Sequence, residues 1–300
     1  MEELRLVYSD DYDLNLGRHV FPSVKYRLIK EKLLRDQIAV LEDFIKPAPA
    51  SEDDIALVHH REYIQKLQAG KLSYMEILRL EIPYSPELVR AVWLSAGGSI
   101  LAGRLALEDG ICANVGGGFH HAYPDHGEGF CVLNDLAIGV RRLQKDQRIA
   151  RAMTIDCDVH HGNGTAAIFS GDSSVFTFSI HQENNYPYPK PASTLDVNLR
   201  DGADDAEYLA ELEKGLDQAL AEFTPDIIYY VAGADPYRDD QLGGLKLTVE
   251  GLEKRDRLVF TKARSKYIPV AITLAGGYAR RVEDTIQIHT NTLRVAKEFR

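Results

Sequence analysis

"RAMTIDCDVHHGNG", residues 151–164, is the stretch on which the reading of this chain turns. It opens as a short β-rich run and closes on Asp156, Asp158, His160, His161 and Asn163. Side chains alternate along extended backbone, so Asp156, Asp158 and His160 are expected on one face, Cys157 and Val159 on the other. A carboxylate and an imidazole so spaced at a strand end can grip one divalent ion together. Oxygen plus nitrogen ligation suits zinc, and also iron, cobalt or manganese. A third ligand must come from elsewhere, and a catalytic site leaves the next position to water. The bland alternative is that strand-end Asp and His residues merely cap loops. Burying that much charge without metal or partner is costly, which favours the metal.

Working outward, similar runs recur: "LRLVYS" (4–9), "GICANVGG" (110–117), "SVFTFSIH" (174–181), "DIIYYVAG" (226–233) and "IPVAITLAGG" (268–277). All are apolar on both faces, as expected of a parallel sheet buried between helical layers. Segments of helical period lie between them: residues 25–44, 85–110, 135–145 and 204–223. The last carries Leu209, Leu212, Leu216, Leu220 and Phe223 on one stripe, with an Asp cap before it and Thr224-Pro225 after it. Alternating β and α implies one α/β domain over residues 1–300, with its clearest loops at 46–54 and 186–193.

Ligands in such sheets gather beyond the carboxyl ends of the strands. Four runs end in chemically capable residues there: "GGGFHHAYPDHGEGFC" (116–131), "DCDVHHGNG" (156–164), "GADPYRDDQLGG" (233–244) and "AGGYARR" (275–281). Asp235, just past its strand, is the natural third ligand, with Asp239 and Asp240 as alternatives further into the loop. The adjacent His120 and His121 follow three glycines and suit proton handling; the alternative is a structural pair bound to backbone. His59 and His60, in "VHHREYIQKL", read as helix-start structure. A hydroxyl at Tyr278, on a glycine turn, can donate to a developing oxyanion.

Composition narrows the function classes. The net charge of −10 disfavours nucleic acid as a partner, which needs a basic face. Cys112, Cys131 and Cys157 form neither a disulfide framework nor a CxxC zinc site. The N-terminus shows no signal peptide, and no stretch approaches the ~18 apolar residues of a membrane span. A soluble, cytoplasmic protein without membrane partners is expected. Nothing specifies an oligomer.

Taken in order, "GGGFHHA", "GFCVLND", "DCDVHHGNG", "AGAD…LGG" and "AGGY" resemble the zinc-dependent histone deacetylase superfamily over nearly the whole chain, from "VYSDDYDLNLGRHVFP" (7–22) onward. "NVGGGFHHA", "GNG" and "DQLGGLKLTVEGLEKRDRLVF" (240–260) look most like its class IV branch and bacterial relatives. The resemblance implies the arginase/deacetylase fold and hydrolysis of an amide, such as acyl-lysine in a protein or peptide, to an acid and an amine. It implies Zn²⁺ on Asp158, His160 and Asp235, with Fe²⁺ or Co²⁺ as alternatives. His120 and His121 would be the tandem histidines, with His121 the general base and acid. Tyr278 would hydrogen-bond the substrate carbonyl. Asp156 would partner His120 and, with Ser179 and nearby carbonyls, hold a structural K⁺. Gly129, Phe130, Tyr186 and Gly276 would contact the substrate in its tunnel, and His161 would be structural.

Three departures stand out against that family. Asn163 stands where many relatives carry an aspartate paired with the second histidine. "YPYPKPAS" (186–193) replaces a glycine-containing loop, and "LAGGY" is one glycine short before the tyrosine. A neutral Asn163 would orient His121 but stabilise its imidazolium less than a carboxylate would. Asn163→Asp is therefore expected to raise the lower apparent pKa of kcat/KM. Competing functions are an acetylpolyamine amidohydrolase acting on small acylated amines, an arginase-like two-metal hydrolase, and a catalytically silent, metal-stabilised binding protein.

Overall fold

All six runs read as strands lie in one parallel sheet in the computed structural model, which describes residues 4–14, 16–17 and 19–300. Part of the N-terminal resemblance, at Asn15 and Arg18, therefore lies outside the described residues. The strands are β1 (Leu6–Val7), β2 (Phe44–Ile45), β3 (Ile111–Asn114), β4 (Ala152–Asp156), β5 (Val175–Gln182), β6 (Leu195–Leu199), β7 (Ile227–Val231) and β8 (Val270–Thr273). They run in the order β2-β1-β3-β8-β7-β4-β5-β6, and every ladder is parallel. The central strands are buried on both faces. Ile228 and Tyr230 enter one apolar core while Ile227, Tyr229 and Val231 enter the other. That two-sided burial is why these strands read as continuous apolar runs.

The two edge strands, β2 and β6, are not apparent from sequence. β6, "LDVNL", is only partly buried and carries polar residues. β2 begins at Phe44, the last residue of the stretch expected to be helical. That helix instead spans Lys25–Arg35. Gln37 takes a left-handed conformation (φ 56°), and the amide of Ile38 bonds back to the Leu33 carbonyl at 2.9 Å. This is a helix-terminating turn that hydrophobic period alone does not reveal. The other three helices match closely: Pro86–Asp109, Asp135–Lys145 and Asp205–Glu222, the last capped by Asp204. No helix among the described residues is long and apolar enough to cross a membrane.

A fully buried ion pair braces the strand ends. Arg255, on the helix Val249–Ser265, donates to the carbonyls of Cys157 (3.3 Å) and Gly233 (2.5 Å). Its Nε bonds Asp256 at 2.9 Å, and Asp256 also accepts from Tyr230 (2.5 Å) and Thr292 (2.6 Å). The loops leaving β4 and β7 are thereby tied to one charged anchor behind the site.

Candidate active site

Four strand-end loops converge at one rim. The loop after β4 supplies Asp158 and His160, and the loop after β7 supplies Asp235. Nδ1 of His160 lies 3.1 Å from Asp158 Oδ1 and 3.4 Å from Asp235 Oδ2. One ligand atom from each of the three lies within 4.8 Å of the others, and all three residues are buried. Asp239 is exposed, and Asp240 binds the amides of Leu242, Gly243 and Tyr278, so neither joins the cluster.

The donors suit a divalent cation. Oδ2 of Asp235 is buried without a hydrogen-bond partner. The missing side chain of Gly276 leaves room for both carboxylates, since a Cβ there would strike Asp235 Oδ2 and Asp158 Oδ2. The Gly276 amide in turn donates to Asp158 Oδ2 at 2.9 Å. Burial, reinforced by repulsion from Asp158, pushes the Asp235 carboxyl up to about 7. Burial opposes charge on His160 too, but Asp158 and Asp235 outweigh it and raise that imidazole to about 10. Two buried carboxylates are thus paired with one imidazole, an arrangement that a divalent ion with O, N, O donors satisfies.

His120 and His121 come from the glycine loop after β3. Asp135, at the start of its helix, accepts the amides of Gly118 (3.1 Å) and Phe119 (2.8 Å) and so holds that loop in place. His59 does the same from below. Its Nδ1 faces the Tyr123 carbonyl at 2.9 Å and its Nε2 accepts the Asn134 amide at 3.0 Å, so it holds this loop, and only His60 stands at a helix start, before Arg61–Ala69. Nδ1 of His120 is 2.6 Å from Asp156 Oδ2. Burial pulls the His120 imidazole down, but Asp156 and Asp158 reverse this and lift it to about 9.

His121 is fixed by a chain that sequence spacing did not reveal. Its Nδ1 lies 2.6 Å from Asn163 Oδ1, and Asn163 Nδ2 donates to Glu128 Oε1 at 2.7 Å. An ionised carboxylate only accepts, so Glu128 orients the amide and leaves its oxygen toward His121. Nδ1 therefore carries the proton, and Nε2 keeps its lone pair. Burial, then the neighbouring His120 and His160, hold His121 well below the ordinary imidazole range. Burial would raise the Glu128 carboxyl, yet bonds from His126, Tyr186 and Asn163 keep it below its ordinary value. Glu128 is visible in "HGEGFC", but nothing in the sequence ties it to Asn163, 35 positions away.

Of the remaining expected residues, Gly129, Phe130, Tyr186 and Tyr278 border one opening. His121, His160, Gly129, Phe130, Tyr186 and Tyr278 line a pocket of about 190 Å³. Tyr186 stands edge-on to His121 at 4.9 Å between centroids and donates to Glu128 Oε1 at 2.7 Å. Gly129 sits at positive φ (51°), where a Cβ would press on Tyr186 and His121. Burial, then the Asp158 and Asp235 charges, keeps the Tyr278 phenol well above its ordinary value and hence protonated. Asp156 and Ser179 are register partners across β4 and β5. A larger cavity of about 320 Å³ lies beside Gly110 and Val270, at the opposite ends of the strands, remote from this chemistry.

Known proteins resemble this chain in sequence and in fold. Residues 19–293 match the Histone deacetylase domain. The chain is 31% identical to Histone deacetylase 2 of Arabidopsis thaliana, covering 96% of this chain and 79% of that protein. It is 39% identical to an uncharacterized protein of Picosynechococcus sp., covering 98% of each. Identity to the acetoin utilization protein AcuC of Bacillus subtilis is 29%, covering 93% and 78%. Among solved structures, an HDAC homologue from Aquifex aeolicus superposes with a TM-score of 0.82 at 24% identity, covering 97% of this chain and 83% of that one. An HDAC homologue solved in complex with SAHA gives 0.82 at 23%, covering 99% and 84%. A parallel α/β sheet of this topology, with a domain match spanning nearly all of it, means that the chain belongs to the histone deacetylase family.

Proposed function

We propose that residues 1–300 act as one catalytic domain, a zinc-dependent amidohydrolase of class IV type that removes acetyl or other acyl groups from the ε-amine of lysine in proteins or peptides. The observation that carries this reading is the pairing of an O, N, O donor set with His121 at a single pocket. Its Nδ1 is capped by Asn163, which leaves Nε2 as a base.

Asp158, His160 and Asp235 would hold the zinc, with Fe²⁺ or Co²⁺ as alternatives. When bound there, the metal supplies Lewis acidity to the amide carbonyl and to the attacking water. His121 takes a proton from that water as the new C–O bond forms. Tyr278 donates its hydroxyl hydrogen to the carbonyl oxygen as charge develops on it. The proton held at His121 then passes to the amine nitrogen as the C–N bond breaks, giving a carboxylic acid and a free amine. Asp156 keeps His120 oriented and charged beside this path and, with Ser179, would contribute to a structural K⁺ site. Gly129, Phe130, Tyr186 and Gly276 form the channel for the acyl-amine.

A second reading, a small acylated amine as substrate, is favoured by Glu81 on the pocket lining, a carboxylate able to meet a distal ammonium. Turnover of acyl-lysine peptides from acetyl to long-chain, beside acetylspermidine and acetylputrescine, with defined zinc, tests both. Peptide turnover abolished by Tyr278→Phe and His121→Ala supports the proposal. No turnover of any amide by folded, zinc-loaded protein overturns it.

A further inference from the structure

His161 follows a residue of the first cluster yet meets different partners. Its Nε2 lies 3.1 Å from Ser193 Oγ and 3.2 Å from Asp196 Oδ1. His181, on β5, stands edge-on to it with ring centroids 4.7 Å apart. Asp196, on β6, pairs in register with Ser179. One ligand atom from each of His161, His181 and Asp196 lies within 4.8 Å of the other two. Both imidazoles are almost fully enclosed, at 0% and 1% exposure.

Hydrogen bonding accounts for only part of this cluster: His161 Nε2 meets Ser193 Oγ, and Asp196 Oδ2 accepts the Ser193 amide at 2.9 Å. His161 Nδ1, His181 Nε2 and Asp196 Oδ1 are all buried without a hydrogen-bond partner. Leaving such atoms unpaired costs about 1–3 kcal/mol each, so a fold that gathers two of them, His181 Nε2 and Asp196 Oδ1, around the Nε2 of His161 calls for a reason. The 3.2 Å approach of Asp196 Oδ1 to His161 Nε2 is close without being an aligned hydrogen bond. Two donors on one tetrahedral ion, with bonds of about 2.0–2.1 Å, stand about 3.3 Å apart, which matches that contact. His181 is also prepared as a ligand. Its Nδ1 bonds Ser179 Oγ at 3.0 Å, which leaves Nε2 as the free nitrogen. The nearby cation Lys190 is already engaged, its Nζ bound to the carbonyls of Glu183 (3.0 Å), Asn185 (2.5 Å) and Pro187 (3.1 Å).

We propose that His161, His181 and Asp196 form a second divalent-cation site, of zinc-like N, N, O chemistry, distinct from the cluster of Asp158, His160 and Asp235. The ion ties three elements together: the loop after β4 that carries His160, the next-to-edge strand β5, and the edge strand β6 that follows the 186–193 loop. Tyr186 lines the pocket from the start of that loop, so the second ion holds the rim against the strand end that supplies the first site. Its role is structural, and it requires no change in the chemistry proposed at His121.

Metal content of the full-length protein, purified with zinc and desalted, tests this independently of the proposed reaction. Two equivalents per chain are expected, falling to one in Asp196→Asn and to one in Asp235→Asn, with folding followed by circular dichroism. His181→Gln serves as a second variant should Asp196→Asn not fold. Co²⁺ titration of Asp235→Asn should still show one equivalent of tetrahedral visible absorption. One equivalent in the unsubstituted protein, kept by Asp196→Asn and His181→Gln but lost in Asp235→Asn, overturns the second site and leaves the first intact. The converse pattern supports the second site and overturns the first. Two equivalents that survive both Asp196→Asn and His181→Gln also overturn it.

Discussion

His160 and His161 are neighbours in the chain, yet they belong to clusters with different construction. The first cluster closes on Asp235 from β7, is wholly buried, and is braced behind by the Arg255–Asp256 pair at the Cys157 and Gly233 carbonyls. The second closes on β5 and the edge strand β6, and its Asp196 side chain keeps 23% exposure. The first borders a pocket and His121, held by Asn163; the second meets the rim loop at the side chain and amide of Ser193. Two similar ligand sets thus differ in what they can do. Chemistry needs the open volume and His121, whereas pinning an edge strand needs only the donors.

The comparison breaks most visibly at the level of activity. His121→Ala should lower kcat by about 10²–10⁴-fold with metal content unchanged, whereas His181→Gln should act mainly on KM through the rim. Steady-state kinetics on folded protein separates them, and comparable kcat losses in the two would erase the distinction. The brace comes next. Asp256→Ala leaves Arg255 buried and unpaired and should cost about 3–5 kcal/mol, read as a fall in Tm or in denaturant midpoint. A change within error would remove the brace from the account.

Acid should weaken the first site steeply. His160, raised to about 10, carries a proton between pH 7 and 10 that zinc must displace. Below pH 7, Asp235, raised to about 7, adds a second. Affinity should therefore fall about tenfold per unit from pH 10 to 7 and about a hundredfold per unit below, measured against a competing chelator. In the second cluster, burial and then the neighbouring His161 pull His181 down to about 3, so His181 has no proton to give up near neutrality. A first site as insensitive to pH as His181 would count against its ligand set.

Smaller effects probe the chain behind His121. Glu128→Gln keeps an oxygen for Asn163 and Tyr186 but removes a negative charge. The imidazolium of His121 loses support, so the acid limb of kcat/KM should move to lower pH, with kcat down by about tenfold at most. Unchanged pH profiles would mean that Glu128 acts only by shape. The structure also sharpens the expectation for Asn163→Asp. A carboxylate there would stand 2.7 Å from Glu128 Oε1, so the two acids would share a proton. The acid limb should still rise, but less than with a lone aspartate, and more in the double substitution with Glu128→Gln.

Much of this was legible in the residues. Asp158, His160 and Asp235 could be paired because each follows an apolar run, and strand ends in a parallel sheet share one rim. His120, His121 and Tyr278 reached the same rim by the same rule. Local pattern also placed the helices Pro86–Asp109, Asp135–Lys145 and Asp205–Glu222, whose caps and apolar stripes are written within a few residues. The edge strands β2 and β6 were not legible, because half-exposed pairs carry no continuous apolar signal. Glu128, Arg255 and the separate course of His161 were decided only by tertiary structure. Their partners lie tens of residues away, and a hydrogen bond or shared ion depends on distance in space, which no spacing along the chain encodes.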